Sequence, residues 1–208
     1  MGIRENYESA ARAFAALVRR LPDDGWEAPG LGVWDRRALV GHTVAAALTT
    51  VSTNVDRPAE PVAVHSPEGY YAQARSVDRS IYQAAVEAGT AGAGEAGEAL
   101  GADPAATVDR LVDEAIAKLA AADDDDVLET AAGGMRLSCY LPTRTFELAV
   151  HSLDLAGGAG VPARLPDAVL AEAAVLGARI AVAVGDGALV LRALTGRAAL
   201  PDGFSVLC

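Results

Sequence analysis

The stretch FELAVHSLD, residues 146–154, places Glu147 and His151 four positions apart in an otherwise apolar run. Four residues make about one turn of an α-helix, so the two polar side chains lie on nearly the same face, roughly 6 Å apart along the axis. One interpretation is a polar pair that stabilises the helix. The other is two ligands of one metal ion, and the spacing alone does not decide between them.

Helical patterns dominate the chain around this stretch. Apolar residues recur at spacings of three and four over residues 3–21, 36–54, 103–119, 138–156 and 166–184. Asp35 is a candidate N-cap for the second of these helices, and Ser66-Pro67-Glu68 has the order of N-cap, first-turn proline and first-turn acid for a helix to about Ala88. No strand-like alternation persists. We therefore predict an all-α fold, a bundle of four main helices with additional short helices.

Three segments are predicted to lie outside the main helices. Residues 26–34, WEAPGLGVW, and 57–69, RPAEPVAVHSPEG, are predicted as loops from their proline and glycine content. The Gly/Ala-rich residues 89–102 are the best candidate for a flexible connection, and their alanines leave a partly helical alternative open. Because no linker divides the chain, we expect one domain over residues 1–208, with a core bundle at about 3–185 and an extension at 186–208.

Composition excludes several classes of function. The net charge of −11 disfavours nucleic acid as a partner, because phosphate backbones would be repelled. The longest apolar stretch, residues 170–185, is interrupted by Glu172 and Arg179, which argues against a membrane span. Two cysteines and the lack of a signal-peptide pattern indicate a reducing compartment, so we expect a cytoplasmic protein.

The histidines supply a candidate third ligand. Of the three, His65 lies in the proline-rich loop, whereas His42 and His151 each fall in the middle of an apolar helical pattern. A facing helix can place His42 against Glu147 and His151. Two imidazoles and one carboxylate suit zinc or another divalent ion and leave a coordination position open, and non-haem iron uses a similar set. From these residues alone, a structural polar cluster and a metal site are about equally supported.

Three motifs carry a resemblance to a known family. They are WDRRALVGH at 34–42, RTFELAVHSLDLA at 144–156, and LTGR at 194–197 followed by LPDGF at 200–204. Together they resemble the mycothiol-dependent maleylpyruvate isomerase family, part of the DinB-like superfamily of metal-binding helical bundles. The resemblance spans nearly the whole chain. It implies a DinB-like four-helix bundle in which His42, Glu147 and His151 hold a divalent ion, usually zinc, with Ni²⁺ and Fe²⁺ as alternatives.

The resemblance also implies a chemistry. The metal would stabilise the thiolate of a low-molecular-weight thiol, mycothiol, for attack on a small electrophile. Release of the adduct would make the protein an S-transferase, and expulsion of the thiol after bond rotation would make it a cis–trans isomerase. The isomerase itself has an additional C-terminal domain that contributes to its active site, for which 208 residues leave no room. The ligands are therefore implied more firmly than the substrate.

Two alternatives to an enzyme remain open from the sequence. One is a non-catalytic protein that binds a metal or small molecule, and the other is a purely structural bundle in which His42 and Glu147 satisfy each other. The sequence leaves the oligomeric state open between monomer and homodimer. Metal content separates the structural alternative from the other two.

Some further side chains are candidates for supporting roles. Asp154, one turn beyond His151, could hydrogen-bond a ligand imidazole or simply lie on the helix surface. Arg144, one turn before Glu147, could orient the carboxylate, hold an anionic group or form an ion pair with Glu147. Packing roles are favoured for the remaining aromatic and thiol residues of interest, Trp34, Tyr70, Tyr71, Tyr82 and Cys139.

Overall fold

A computed structural model gives the fold of the chain. It describes residues 2–22, 24–75, 89 and 91–207, and the side chains at 74 and 75 lie outside the described part. The described helices include α1 (Ile3–Val18), α2 (Arg36–Val44), α3 (Thr50–Asn54), α4 (Pro67–Arg75), α5 (Pro104–Ala120), α6 (Leu137–Ala159), α7 (Asp167–Ala183) and α8 (Gly187–Leu194). The strands are β1 (Pro29–Leu31), β2 (Trp34–Asp35), β3 (Val127–Thr130) and β4 (Gly133–Arg136). The prediction of an all-α fold is confirmed, and two short antiparallel hairpins, β1–β2 and β3–β4, are added to it.

Helix α6, which contains the stretch FELAVHSLD, is central to the bundle. It packs against α1, α2, α4 and α7. Because neighbours surround it, α6 buries apolar side chains on several sides, among them Leu141, Leu148 and Leu155. Most of the buried apolar side chains of the described residues form one connected core. Polar groups on α6 consequently lie inside the bundle. None of the described helices has the length and apolar character needed to cross a membrane.

Local capping residues start the helices where the sequence predicts. Asp35 Oδ1 accepts a hydrogen bond of 2.7 Å from the Ala38 N–H and begins α2. Ser66 Oγ accepts one of 3.2 Å from the Gly69 N–H at the start of α4. Each cap satisfies a backbone donor that the first helical turn leaves without a partner. The last part of the helix predicted to run to Ala88 lies outside the described residues.

Two predicted loops contain regular structure. Within residues 26–34, β1 turns through Gly32, whose φ of +58° suits glycine, and pairs with β2. Within residues 89–102, positions 91–99 are helical, as the alternative reading of the alanine content allowed. This helical segment crosses α2 closely, because a side chain at Gly41 would meet the backbone of Gly97.

A π-helical turn, Ala45–Thr49, joins α2 to α3 without a break. Two of its carbonyl oxygens accept hydrogen bonds of 2.7 Å from neighbouring helices. Tyr7 Oη on α1 donates to the Ala47 oxygen, and Arg144 Nη1 on α6 donates to the Ala46 oxygen. The wider turn is thus held from two sides, and it fixes the direction in which the preceding helix α2 presents its side chains.

Candidate metal centre

The three residues proposed as ligands meet at the contact between α2 and α6. Suitable nitrogen and oxygen atoms of His42, Glu147 and His151 all lie within 4.8 Å of one another. The two imidazole rings stand edge to face with centroids 5.1 Å apart, and His151 Nε2 lies 3.4 Å from Glu147 Oε2. Because metal–nitrogen and metal–oxygen bonds are about 2.0–2.2 Å long, small side-chain rotations bring these atoms around one ion. The fold therefore brings together the three residues that the sequence proposes as ligands.

The charges of the cluster depend on its burial and its contacts. The side chains of His151 and Glu147 are 11% and 17% exposed. Burial opposes ionisation of Glu147, but the hydrogen bond to His151 and the charge of Arg144 outweigh it and lower the pKa to about 2. Burial likewise opposes protonation of His151, yet hydrogen bonds to Asp154 and Glu147 raise its pKa to about 9. Burial, followed by the charge of His151, lowers the pKa of His42. At neutral pH and without metal, His151 is the protonated member of the cluster.

Asp154 lies beside the outer edge of His151. Its Oδ2 is 3.2 Å from His151 Nδ1, a hydrogen-bond distance. When His151 gives up one proton, a proton held on Nδ1 by this carboxylate leaves Nε2, the nitrogen that faces Glu147, free to act as a ligand. Of the two roles that the sequence leaves open for Asp154, this contact has the geometry of the one in which it hydrogen-bonds the imidazole of His151.

Arg144 lies within the bundle rather than against the cluster. Its side chain is 4% exposed, and the described residues show no ion pair between Arg144 and Glu147. Its guanidinium donates to the Ala46 carbonyl and lies over the rings of Tyr70 and Tyr140, 5.1 and 5.0 Å from their centroids. Such burial leaves no surface for an anion from solvent. Its positive charge still helps to lower the pKa of Glu147, an electrostatic influence that differs from the three roles considered from the sequence.

Two aromatic residues that the sequence assigns to packing contact the ligands. The Trp34 ring packs on His42 with centroids 4.6 Å apart and planes tilted by 35°. Tyr71 Oη donates a hydrogen bond of 2.8 Å to Glu147 Oε1. No local signal could reveal the second contact, because 76 residues separate its partners.

Two other residues singled out in the sequence lie away from the candidate ligands or beyond the described part. Cys139, predicted to be buried, is half-buried, with its Sγ 3.4 Å from the His65 carbonyl oxygen. Tyr82 lies outside the described residues.

The chain has a DinB-like helical fold, and its central helix brings Glu147 and His151 to a histidine on the second helix, where they form a candidate metal centre. The chain belongs to the mycothiol maleylpyruvate isomerase N-terminal domain family, whose sequence model matches residues 7–156 and so includes all three candidate ligands. The resemblance seen in the sequence is confirmed.

A solved structure agrees with this assignment at the level of the fold. The chain is similar to the crystal structure of the mycothiol-dependent maleylpyruvate isomerase, with a TM-score of 0.53 and 16% sequence identity. The alignment covers 86% of this chain and 70% of that chain. At this identity the likeness shows the fold alone. No curated protein sequence matches the chain.

Proposed function

We propose that the protein is a divalent-metal-dependent enzyme that uses a low-molecular-weight thiol, mycothiol, on a small electrophilic substrate. The observation that carries the proposal is the convergence of His42, Glu147 and His151 donor atoms within 4.8 Å. All three lie in the part of the chain that matches the mycothiol maleylpyruvate isomerase family, which supports the thiol and the reaction class. We propose zinc as the metal, with Ni²⁺ and Fe²⁺ as alternatives, and the cytoplasm, where thiols stay reduced, as the setting.

The donor set fits such an ion. Two imidazole nitrogens and one carboxylate oxygen are common ligands of catalytic zinc, and three protein ligands leave a position open for substrate or water. An ion held there would supply positive charge that lowers the pKa of a thiol and stabilises its anion. Structural zinc sites use four protein ligands as a rule, so a set of three favours a reactive centre over a purely structural one.

Neighbouring side chains set the charge and orientation of the three candidate ligands. Glu147 is ionised well below neutral pH because His151 and Arg144 stabilise its charge. Asp154 holds the Nδ1 edge of His151 and directs Nε2 towards the centre. The Trp34 ring packs against the His42 ring at a centroid distance of 4.6 Å. These contacts limit the rotation of each ligand before any ion or substrate arrives.

The proposed reaction begins with a bond between the thiol sulfur and an electrophilic carbon of an activated double bond. In S-transfer the thiol proton ends on the neighbouring carbon and the adduct is released. In isomerisation the former double bond rotates, the carbon–sulfur bond breaks, and the thiol is regenerated with the cis–trans geometry changed. Both outcomes need the same three candidate ligands, so the site geometry supports the class rather than one product.

Metal content tests the centre itself. Elemental analysis of protein purified without chelators should give about one equivalent of metal per chain in the parent, and essentially none in His42→Ala or His151→Ala. His65→Ala is the matched control, since His65 is exposed and lies outside the cluster, and it should keep its metal. A parent protein that carries no metal and takes up none on addition of zinc would remove the basis of the proposal.

Thiol chemistry separates an enzyme from a binding protein. The metal-loaded protein is mixed with mycothiol and a panel of cis-configured and other activated electrophiles, while free thiol and substrate geometry are followed together. S-transfer consumes one thiol per electrophile, and isomerisation converts the substrate with no net loss of thiol. A protein that holds metal but neither converts an electrophile nor binds the thiol would instead be the non-catalytic metal-binding alternative.

A further inference from the structure

Tyr71 reaches the cluster from a helix that supplies none of the three candidate ligands. It lies on α4, its ring is 8% exposed, and it packs against Tyr70 and Phe146 with centroids 5.2 and 5.5 Å away. Its hydroxyl lies 2.8 Å from Glu147 Oε1 and 3.0 Å from the Thr143 carbonyl oxygen. The packed ring leaves the hydroxyl little freedom, so the contact with Glu147 is built into the docking of α4 on α6.

This contact distinguishes the two oxygens of Glu147. Oε1 is the acceptor for Tyr71, whereas Oε2 faces His151 Nε2 at 3.4 Å. A free glutamate side chain samples many rotamers, and fixing it costs conformational entropy at the moment an ion binds. A hydrogen bond from a neutral hydroxyl to an ionised carboxylate is strong enough to fix that orientation beforehand.

We propose that Tyr71 is a positioning residue for the metal centre, one that occupies Glu147 Oε1 and so presents Oε2 to the ion. The inference rests on the proposed metal site and adds a residue to it. Tyr71 does not touch the ion; it acts through Glu147. The affinity of the centre for metal therefore depends on how α4 is docked against α6.

The substitution Tyr71→Phe tests this proposal, because it removes the hydroxyl and keeps the ring that packs on Phe146. We expect the zinc dissociation constant, measured by competition with a chromophoric chelator, to rise by about 10- to 100-fold, as on loss of other residues that orient a metal ligand. Tyr140→Phe is the matched control. Tyr140 is also buried, on α6, but its hydroxyl accepts a hydrogen bond from Asn54, so its removal should change the dissociation constant by less than about twofold.

A spectroscopic measurement separates positioning from general destabilisation. With Co²⁺ in place of zinc, the visible absorption reports the ligand geometry, and it should change in Tyr71→Phe but stay as in the parent in Tyr140→Phe. Tyr71→Met, which also lacks the hydroxyl, repeats the measurement should the phenylalanine variant fail to fold by circular dichroism. If the parent protein binds no zinc, both the proposed function and this inference are wrong. A parent that binds zinc, with folded Tyr71 variants of equal affinity and spectrum, overturns the inference alone.

Discussion

Filling the metal centre at pH 7 is expected to release about one proton per ion, and His151 is its source. A metal needs a neutral imidazole and an ionised carboxylate. The pKa of His151 is about 9, because hydrogen bonds to Asp154 and Glu147 outweigh the opposing effect of burial. Glu147, with a pKa of about 2, has no proton to lose at pH 7, and burial and the charge of His151 lower the pKa of His42.

The number of protons released on metal binding, and its pH dependence, follow from these pKa values. At pH 7 the protonated form of His151 outnumbers the neutral form by about 100 to 1, so nearly a full proton leaves. At pH 9 about half a proton is released. The folded-state pKa is raised, so protons compete with the metal below pH 9, and the apparent zinc affinity should rise by about tenfold per pH unit from pH 7 towards pH 9.

Titration calorimetry with zinc in buffers of different ionisation enthalpy measures the proton number, and chelator competition measures the affinity. Asp154→Asn removes one of the two carboxylates that raise the pKa of His151, so the midpoint of proton release should move to lower pH. Proton release that is absent at pH 7, or centred at the ordinary histidine pKa of about 6.5, would show that Asp154 and Glu147 do not hold His151 as a cation.

Three substitutions test the packing that supports the centre, each by urea denaturation. Tyr7→Phe removes the donor to the Ala47 carbonyl and should lower the free energy of unfolding by about 1–2 kcal/mol; no loss would show that water replaces the bond. Gly41→Ala drives a methyl group into the backbone of Gly97 and should cost about 3 kcal/mol. Gly157→Ala on α6 meets nothing within 4 Å and should stabilise by up to about 1 kcal/mol, and a similar loss in both alanine variants would contradict the close-contact argument.

The sequence predicts those parts of the fold that short-range chemistry determines. Asp35 and Ser66 cap helices through backbone groups three residues away, and such contacts can be read from a few neighbouring positions. The β1–β2 hairpin is different. It pairs only short strands, and its glycine and proline content describes a loop equally well. The π-helical turn has no local signal either, because its carbonyl partners come from α1 and α6.

The candidate site likewise contains residues that the sequence identifies and residues that it does not. Glu147 and His151 are visible as a pair from their spacing. His42, about a hundred residues earlier, is a candidate because it also falls in an apolar helical pattern, and the resemblance to a family supports all three as ligands. Tyr71 and Trp34 could not be assigned, because their contacts depend on how α4 and the β1–β2 hairpin dock on the ligand-bearing helices. Helix periodicity reports which face is buried, but not which buried neighbour a hydroxyl or ring meets.

The π-helical turn Ala45–Thr49 has a consequence for comparing this chain with others. A π turn holds about one residue more than an α turn, so the rotation of α2 relative to α3 depends on that extra residue. Deleting one residue there would restore a regular helix and rotate α2 relative to α3 by about 100°. His42, three positions before the turn, would then point away from Glu147 and His151. A relative without the extra residue must carry its histidine at a shifted position, and an ungapped alignment across this turn would name the wrong residue as the third ligand.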